Sequence, residues 1–334
     1  MRITVFGAGA IGGLVGARLA LAGHEVTLIA RGAHLAALRD RGLTLEDEHG
    51  RRTLRLAATT DPAAPGPQDA VILGVKATAV AAALPALGPL LGPATPVVPI
   101  LNGIPWWYAH GLPGAQRPLE SIDPGGAAWH ALDRGRILGC VTYAAAEVTE
   151  PGTIRHATGR RFVLGEPDGS RTARVLALSE TFAAAGFEAP VSSEIRTEIW
   201  LKAWGNAAFN PLSVLTGATT LQMMEDAPVA AVLKGVMAEV AAVAEASGVR
   251  LPMGIDERFE AARMLGHFRT SMLQDFEAGR PLELDAILGV VVELGAGAGV
   301  PTPLCAAILA LVRQRAALRP AAGPQAKPAN QRIA

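Results

Sequence analysis

Cysteine, lysine, asparagine and tyrosine are all scarce in this chain of 334 residues. The two cysteines, Cys140 and Cys305, belong to no CxxC pair, which excludes a disulfide framework and argues against structural zinc. Seven histidines are scattered without metal-ligand spacing, so no metal is predicted. Neither sign of charge is in excess, since 30 Lys and Arg balance 30 Asp and Glu. That balance offers no footprint for nucleic acid and no charged tail for a surface. There is no GxSxG elbow, so serine-hydrolase chemistry finds no support. No apolar run approaches the ~20 residues of a membrane span. Met1 leads directly into the strand-like Arg2–Phe6 rather than a signal peptide. A cytoplasmic protein without membrane or nucleic-acid partners is therefore the expectation.

What the chain does have is hydrophobicity, at 50% of residues, and a length suited to two domains. Ile3–Phe6, Glu25–Ala30, Ala70–Val75 and Val97–Leu101 read as strands, and Ile11–Ala22 and Ala77–Leu91 as helices between them. This alternation predicts a parallel sheet covered by helices. Leu43–Leu45 and Thr53–Ala58 read as a further strand pair. Ile137–Ala146, Thr153–His156 and Arg161–Leu164, with the Pro151-Gly152 turn, are expected to extend the sheet. Arg171–Ala185 reads as a helix. From Glu194 onward the periodicity is helical, over Glu194–Asn210, Asp226–Ser247, Ile255–Gly279 and Leu282–Gly299, with Pro211, Pro252 and Pro281 at the ends. The expected architecture is an α/β dinucleotide-binding domain of Rossmann type over 1–193, an all-α domain over 194–318, and a disordered Pro-, Ala- and Gln-rich tail over 319–334.

Gly7-Ala8-Gly9-Ala10-Ile11-Gly12 is a GxGxxG run that follows a strand and opens a helix. Gly7 suits the tight turn, Gly9 lets backbone approach a pyrophosphate, and Gly12 lets helix and strand pack closely. The helix N-terminus presents free N–H groups and a positive dipole end to the phosphates. Nineteen residues after Gly12, where an NAD enzyme would carry Asp or Glu, stands Arg31. Its fork suits a 2′-phosphate, so NADP(H) is the expected cofactor. Lys76 and Asn102 follow the next two strands, and ligands gather at the carboxyl ends of such strands. Both belong to types used only four times each in this chain.

Lys202, Asn206 and Asn210 are spaced by four within EIRTEIWLKAWGNAAFN, and so share a helix face. Asn is a poor helix former because its amide competes for backbone hydrogen bonds. Two of them in two turns point to a polar strip lining a ligand cleft, the alternative being a buried network between helices. A Lys in a partly desolvated cleft has a lowered pKa and can serve as a general acid. Further on, Ser271 lies in a segment read as one long helix. Glu283 falls in the first turn of the helix after Pro281, where the dipole alone would justify a carboxylate.

Together, GAGAIG, Arg31, the VKA around Lys76, the NG at Asn102, WLKAWGNAAFNPLS, TSMLQD and RPLELDAILG resemble the ketopantoate reductase (2-dehydropantoate 2-reductase) family over about residues 1–315. The resemblance implies NADPH-dependent reduction of a ketone to an alcohol, ketopantoate to pantoate, with Lys202 as general acid. It implies that Asn206 and Asn210 line the substrate site. Ser271 would contact the substrate carboxylate, and Glu283 would accept from the substrate hydroxyl. Asn102 would lie beside the nicotinamide, with Arg31 and Lys76 near the 2′-phosphate. The stretch Ile104–Asp133, with Trp106-Trp107-Tyr108, departs from the family. It reads as hydrophobic packing or as a reshaped pocket. A reductase of another 2-oxo acid or carbonyl compound and a non-catalytic NADPH-binding module therefore stay open as alternatives. Asp275 and Glu277 read as ordinary polar-face residues. The apolar helices are compatible with burial within one chain or across a homodimer.

Overall fold

A computed structural model describes residues 1–112, 117–264 and 266–319. Of the tail expected over 319–334, only Arg319 is described, and it donates to Phe276 O at 2.8 Å; the rest lies outside the described residues, as does part of the divergent stretch. The first strands are short, with Ala70–Leu73 and Val97–Pro99 buried on both faces. Their ranges are β1 Arg2–Phe6, β2 Glu25–Ile29, β3 Leu43–Asp47, β4 Gly50–Leu54, β5 Ala57–Thr59, β6 Ala70–Leu73 and β7 Val97–Pro99. Five of them form one parallel sheet in the order β5-β2-β1-β6-β7. The strand order reverses direction beside β1, which opens a crevice at the carboxyl ends of β1, β2 and β6.

The expected second strand pair divides differently. Gly50–Leu54 turns back on β3, whereas Ala57–Thr59 joins the main sheet beside β2. The later strands, β8 Gly139–Thr142, β9 Ala145–Glu150, β10 Thr153–Thr158 and β11 Phe162–Gly165, do not extend that sheet as ladders. β9 and β10 join β3 and β4 in a separate sheet, while β8 and β11 pair with each other. Only isolated bridges tie β8 and its approach to β7. The expected helix 77–91 is broken into short 3-10 and α pieces, because Pro85 and Pro89 withhold donors from a continuous ladder.

In the second half the central element is the helix Ile195–Thr216. It runs through Pro211, contrary to the expectation that Pro211 ends it. An interior proline costs ~3 kcal/mol, and burial of Ala203 through Val214 on almost every side offsets it. Gly217, at φ +70°, then stops the helix. The helices Ala227–Ala246, Ser271–Glu277 and Pro303–Ala317 pack around it. Ala227–Ala246 is, by length and composition, apolar enough to cross a membrane, which corrects the reading from sequence. Its Leu233, Val236, Met237 and Val240 are buried in the helical core.

The segment expected as one helix over 255–279 is two, Ile255–Arg263 and Ser271–Glu277. Gly266 at φ +59° leaves the helical region, and Thr270 caps the second helix by accepting from Leu273 N. One hydrophobic core runs from Phe6, Leu73 and Val97 of the sheet through Trp107 and Trp200 to Val236 and Val291 of the helices, so the two halves are joined by continuous packing.

Candidate active site

The glycine turn closes the crevice because only glycine fits it. Gly7 has φ +100°, and a Cβ there would meet Gly74 backbone at 2.9 Å. A Cβ on Gly12 would lie 2.1 Å from the carbonyl of Gly7. Gly9 has nothing within 4 Å of its missing Cβ, so the backbone there faces open space. That space belongs to a groove of about 540 Å³ lined by Gly7, Gly9, Ile29, Arg31, His34 and Thr60, among others. Arg31 is exposed and caps the helix Gly32–Arg41. Its guanidinium has no ion pair among the described residues. A bare glycine cradle with a free cation at its far end fits a dinucleotide carrying an extra phosphate.

Across the crevice, the Nζ of Lys202 donates to Asn102 Oδ1 at 2.9 Å. Asn102 Nδ2 donates to Glu283 Oε2 at 3.3 Å, and Ala77 N donates to Glu283 Oε1 at 2.8 Å. The amide of Asn102 thus presents oxygen to a cation and nitrogen to a carboxylate, the only consistent orientation between those two partners. Glu283 stands just before its helix rather than in the first turn, and its place is set by Ala77 and Asn102, not by a dipole. The helix that follows opens with a π turn, Asp285–Gly289, a form common at functional sites. Asn102 is held against this turn: Gly103 takes φ +77°, and Ile104 N donates to Ala286 O at 2.9 Å.

Lys202 is partly buried, and burial brings its pKa down to about 8, with the neighbouring Cys140 and Glu283 opposing the shift. Cys140 is no counter-ion, since burial pushes its thiol up to about 12. Asn206 and Asn210 follow Lys202 on the same helix face. Their side-chain amides hydrogen-bond to no other described residue; Asn206 is half-buried and Asn210 buried. Asn210 is anchored through its backbone: Ser213 Oγ donates to Asn210 O at 2.7 Å and meets Thr270 Oγ1 at 2.6 Å. Ser271, next to Thr270, is exposed at the start of its helix.

Lys76 departs from the expectation. It does not line the groove with Arg31; its amine forms an ion pair with Asp275 and donates to Pro281 O at 3.3 Å. Arg280 Nε holds the other oxygen of Asp275 at 2.7 Å. Asp275, read as an ordinary polar residue, therefore fastens the helical half to the strand end. Its partner lies 199 residues away, and no local pattern could announce it. Glu277 pairs with Arg269 on the surface, as read.

The aromatic stretch turns inward. Trp106, Trp107 and Tyr108 are 3%, 1% and 1% exposed. Trp200 Nε1 donates to Tyr108 Oη at 2.6 Å, and Arg196 donates to the carbonyls of Tyr108 and His110 at 3.0 and 2.6 Å. These residues brace the helix that carries Lys202, as the packing reading has it, and Trp107 also lines a small cavity bordered by Lys202 and Gly103.

A parallel sheet with a glycine cradle, facing a lysine and amides on an all-helical half, defines a two-domain oxidoreductase of the dinucleotide-binding class. The ketopantoate reductase PanE/ApbA family model matches residues 3–169, and that for the PanE/ApbA C terminal matches 194–316. The chain belongs to this family. It is 47% identical to a 2-dehydropantoate 2-reductase from Mesorhizobium japonicum, over 96% of this chain and 99% of that one. A crystal structure from Ralstonia solanacearum MolK2 superposes with a TM-score of 0.91 at 43% identity, covering 95% and 98% of the two chains. A PanE/ApbA family ketopantoate reductase from Ralstonia eutropha JMP134 gives 0.82 at 31%, over 95% and 99%.

Proposed function

We propose that this chain reduces the ketone of 2-dehydropantoate to pantoate with NADPH. The observation that carries the reading is the Lys202–Asn102 hydrogen bond, which ties a partly buried amine to the carboxyl end of β7, in the sheet whose β1 ends in the glycine turn. NADPH, when bound, supplies the hydride. As the carbonyl carbon gains its C–H bond, the C=O π pair moves onto oxygen. Lys202 then breaks one N–H bond to protonate that oxygen and regains the proton from water. Its charge also stabilises the developing alkoxide before transfer. Asn102 aims the amine. The unpartnered amides of Asn206 and Asn210 hydrogen-bond the substrate, Glu283 keeps lone pairs for a substrate hydroxyl, and Ser271 meets the carboxylate end.

Steady-state oxidation of NADPH with a panel of 2-oxo acids tests the reading. 2-Dehydropantoate is expected to show the highest kcat/KM. A different 2-oxo acid turned over about 100-fold more efficiently, a margin of ~2.7 kcal/mol in transition-state binding, would overturn it.

Arg31 is the proposed 2′-phosphate ligand. Arg31→Ala is expected to raise the KM for NADPH about 10- to 100-fold, the worth of a hydrogen bond to a charged group, and to leave that for NADH unchanged. Equal losses for both cofactors would remove Arg31 from this role.

A further inference from the structure

One cation beside the Lys202 helix has no counter-ion. The side chain of Arg258, on the helix Ile255–Arg263, makes no ion pair and no hydrogen bond with any described residue. Of its charged helix neighbours, Asp256 pairs with Lys234 and Glu260 with Arg263, while Glu257 makes no ion pair with any described residue. The guanidinium of Arg258 instead lies over Gly205, where Nη2 and Cζ come within 2.4 and 3.2 Å of the position a Cβ would take. A glycine inside a helix costs about 1 kcal/mol relative to alanine. Here its missing side chain is the room the guanidinium occupies. Gly205 is adjacent to Asn206 and one turn beyond Lys202, so the cation lies over the stretch of helix that carries both.

Tyr143, at the end of β8, stands on the other side. Its hydroxyl donates to Glu198 Oε2 at 3.5 Å, one turn before Lys202, and its ring oxygen is close enough to Arg258 for the two to influence each other. Burial lowers the pKa of Arg258, yet a guanidinium stays charged throughout the working range. A partly desolvated charge without a partner is unfavourable unless a ligand completes it. The other residues proposed for the substrate are amides, a serine and Glu283, and Glu198 stands one turn before Lys202. They offer no other positive charge for a carboxylate besides the amine that must meet the ketone.

We propose that Arg258 binds the carboxylate of the 2-oxo acid and turns its ketone toward Lys202, an inference that rests on the reduction proposed above. A 2-oxo acid carries carboxylate and ketone on adjacent carbons. A guanidinium and an amine one helical turn apart can address the two groups at once. Arg258 is thus a specificity-determining residue that distinguishes acids from neutral carbonyl compounds.

Arg258→Met keeps most of the side-chain stem and removes the charge. It is expected to raise the KM for the 2-oxo acid about 10- to 100-fold and to change kcat much less. The uncharged methyl ester of the same acid should be reduced equally well by both enzymes. Arg258→Lys should recover part of the loss, the NADPH Kd should not move, and the Tm of Arg258→Met should not fall, since an unpaired charge has been removed. An equal change for acid and ester, or none for either, would show a solvated surface arginine and overturn the proposal. Should the wild type reduce no 2-oxo acid, the proposed function fails by itself. Calorimetric binding of 2-dehydropantoate to the NADP-loaded protein then decides separately. Binding lost in Arg258→Met supports the carboxylate site, and unchanged binding removes it.

Discussion

Lys202→Met should lower kcat about a thousandfold, within the range for a lost general acid and its charge on a developing oxyanion. NADPH binding should persist, because the groove formed by Gly7, Gly9 and Arg31 lies on the other domain. The pH profile gives the same claim a sign. Burial places the Lys202 pKa at about 8, and only the protonated amine can donate. Turnover should therefore be level below that value and fall tenfold per pH unit above it. In Lys202→Met the small residual rate should lose this limb. Stopped-flow measurement of the chemical step from pH 6 to 10 would check both points. A variant with wild-type turnover, or a wild type whose rate rises through pH 8, would take Lys202 out of the mechanism.

Gly103→Ala should be the most damaging single methyl in the molecule. Gly103 has φ +77°, and its Cβ would fall 2.0 Å from the carbonyl oxygen of Ala286 and 2.5 Å from its carbon. Those are backbone atoms of the π turn on the opposite half, so no side chain can swing aside. Relief requires the end of β7 to retreat from the helix, carrying Asn102 away from Lys202 and Glu283. Backbone strain and overpacking together should cost about 2–5 kcal/mol. The folded fraction should also lose turnover at least as steeply as an Asn102→Ala variant. Gly23→Ala supplies the control, since Gly23 has φ +87° but nothing within 4 Å of a Cβ. It should lose only about 1 kcal/mol. Urea unfolding of the two variants separates clash from strain, and equal losses would mean the Gly103–Ala286 contact carries no weight.

Much of the site was legible because its parts are local. The glycine turn announces itself through spacing between strand and helix, and Lys202, Asn206 and Asn210 through a period of four. The strands 137–164 could be recognised from their composition but not assigned partners, since pairing depends on which surfaces meet. The break between Arg263 and Ser271 was hidden because apolar spacing continues across it. The divergent aromatic segment looked like a pocket element or a core element alike. In the structure it is buried, with Trp107 at once in the core and on the wall of the cavity beside Lys202.

By itself, then, the sequence determined the cradle for the phosphates, the choice of Arg31 over an acid, and the stripe of amine and amides. Each of these is written within a turn or two of chain, where backbone geometry ties residues to one another. Only the tertiary structure decided that Lys76 would be held by Asp275, that Glu283 would receive Ala77 and Asn102, and that Arg258 would lie unpaired over Gly205. Those meetings join residues far apart in the chain, and their energies come from packing two halves together rather than from any preference that a short segment carries.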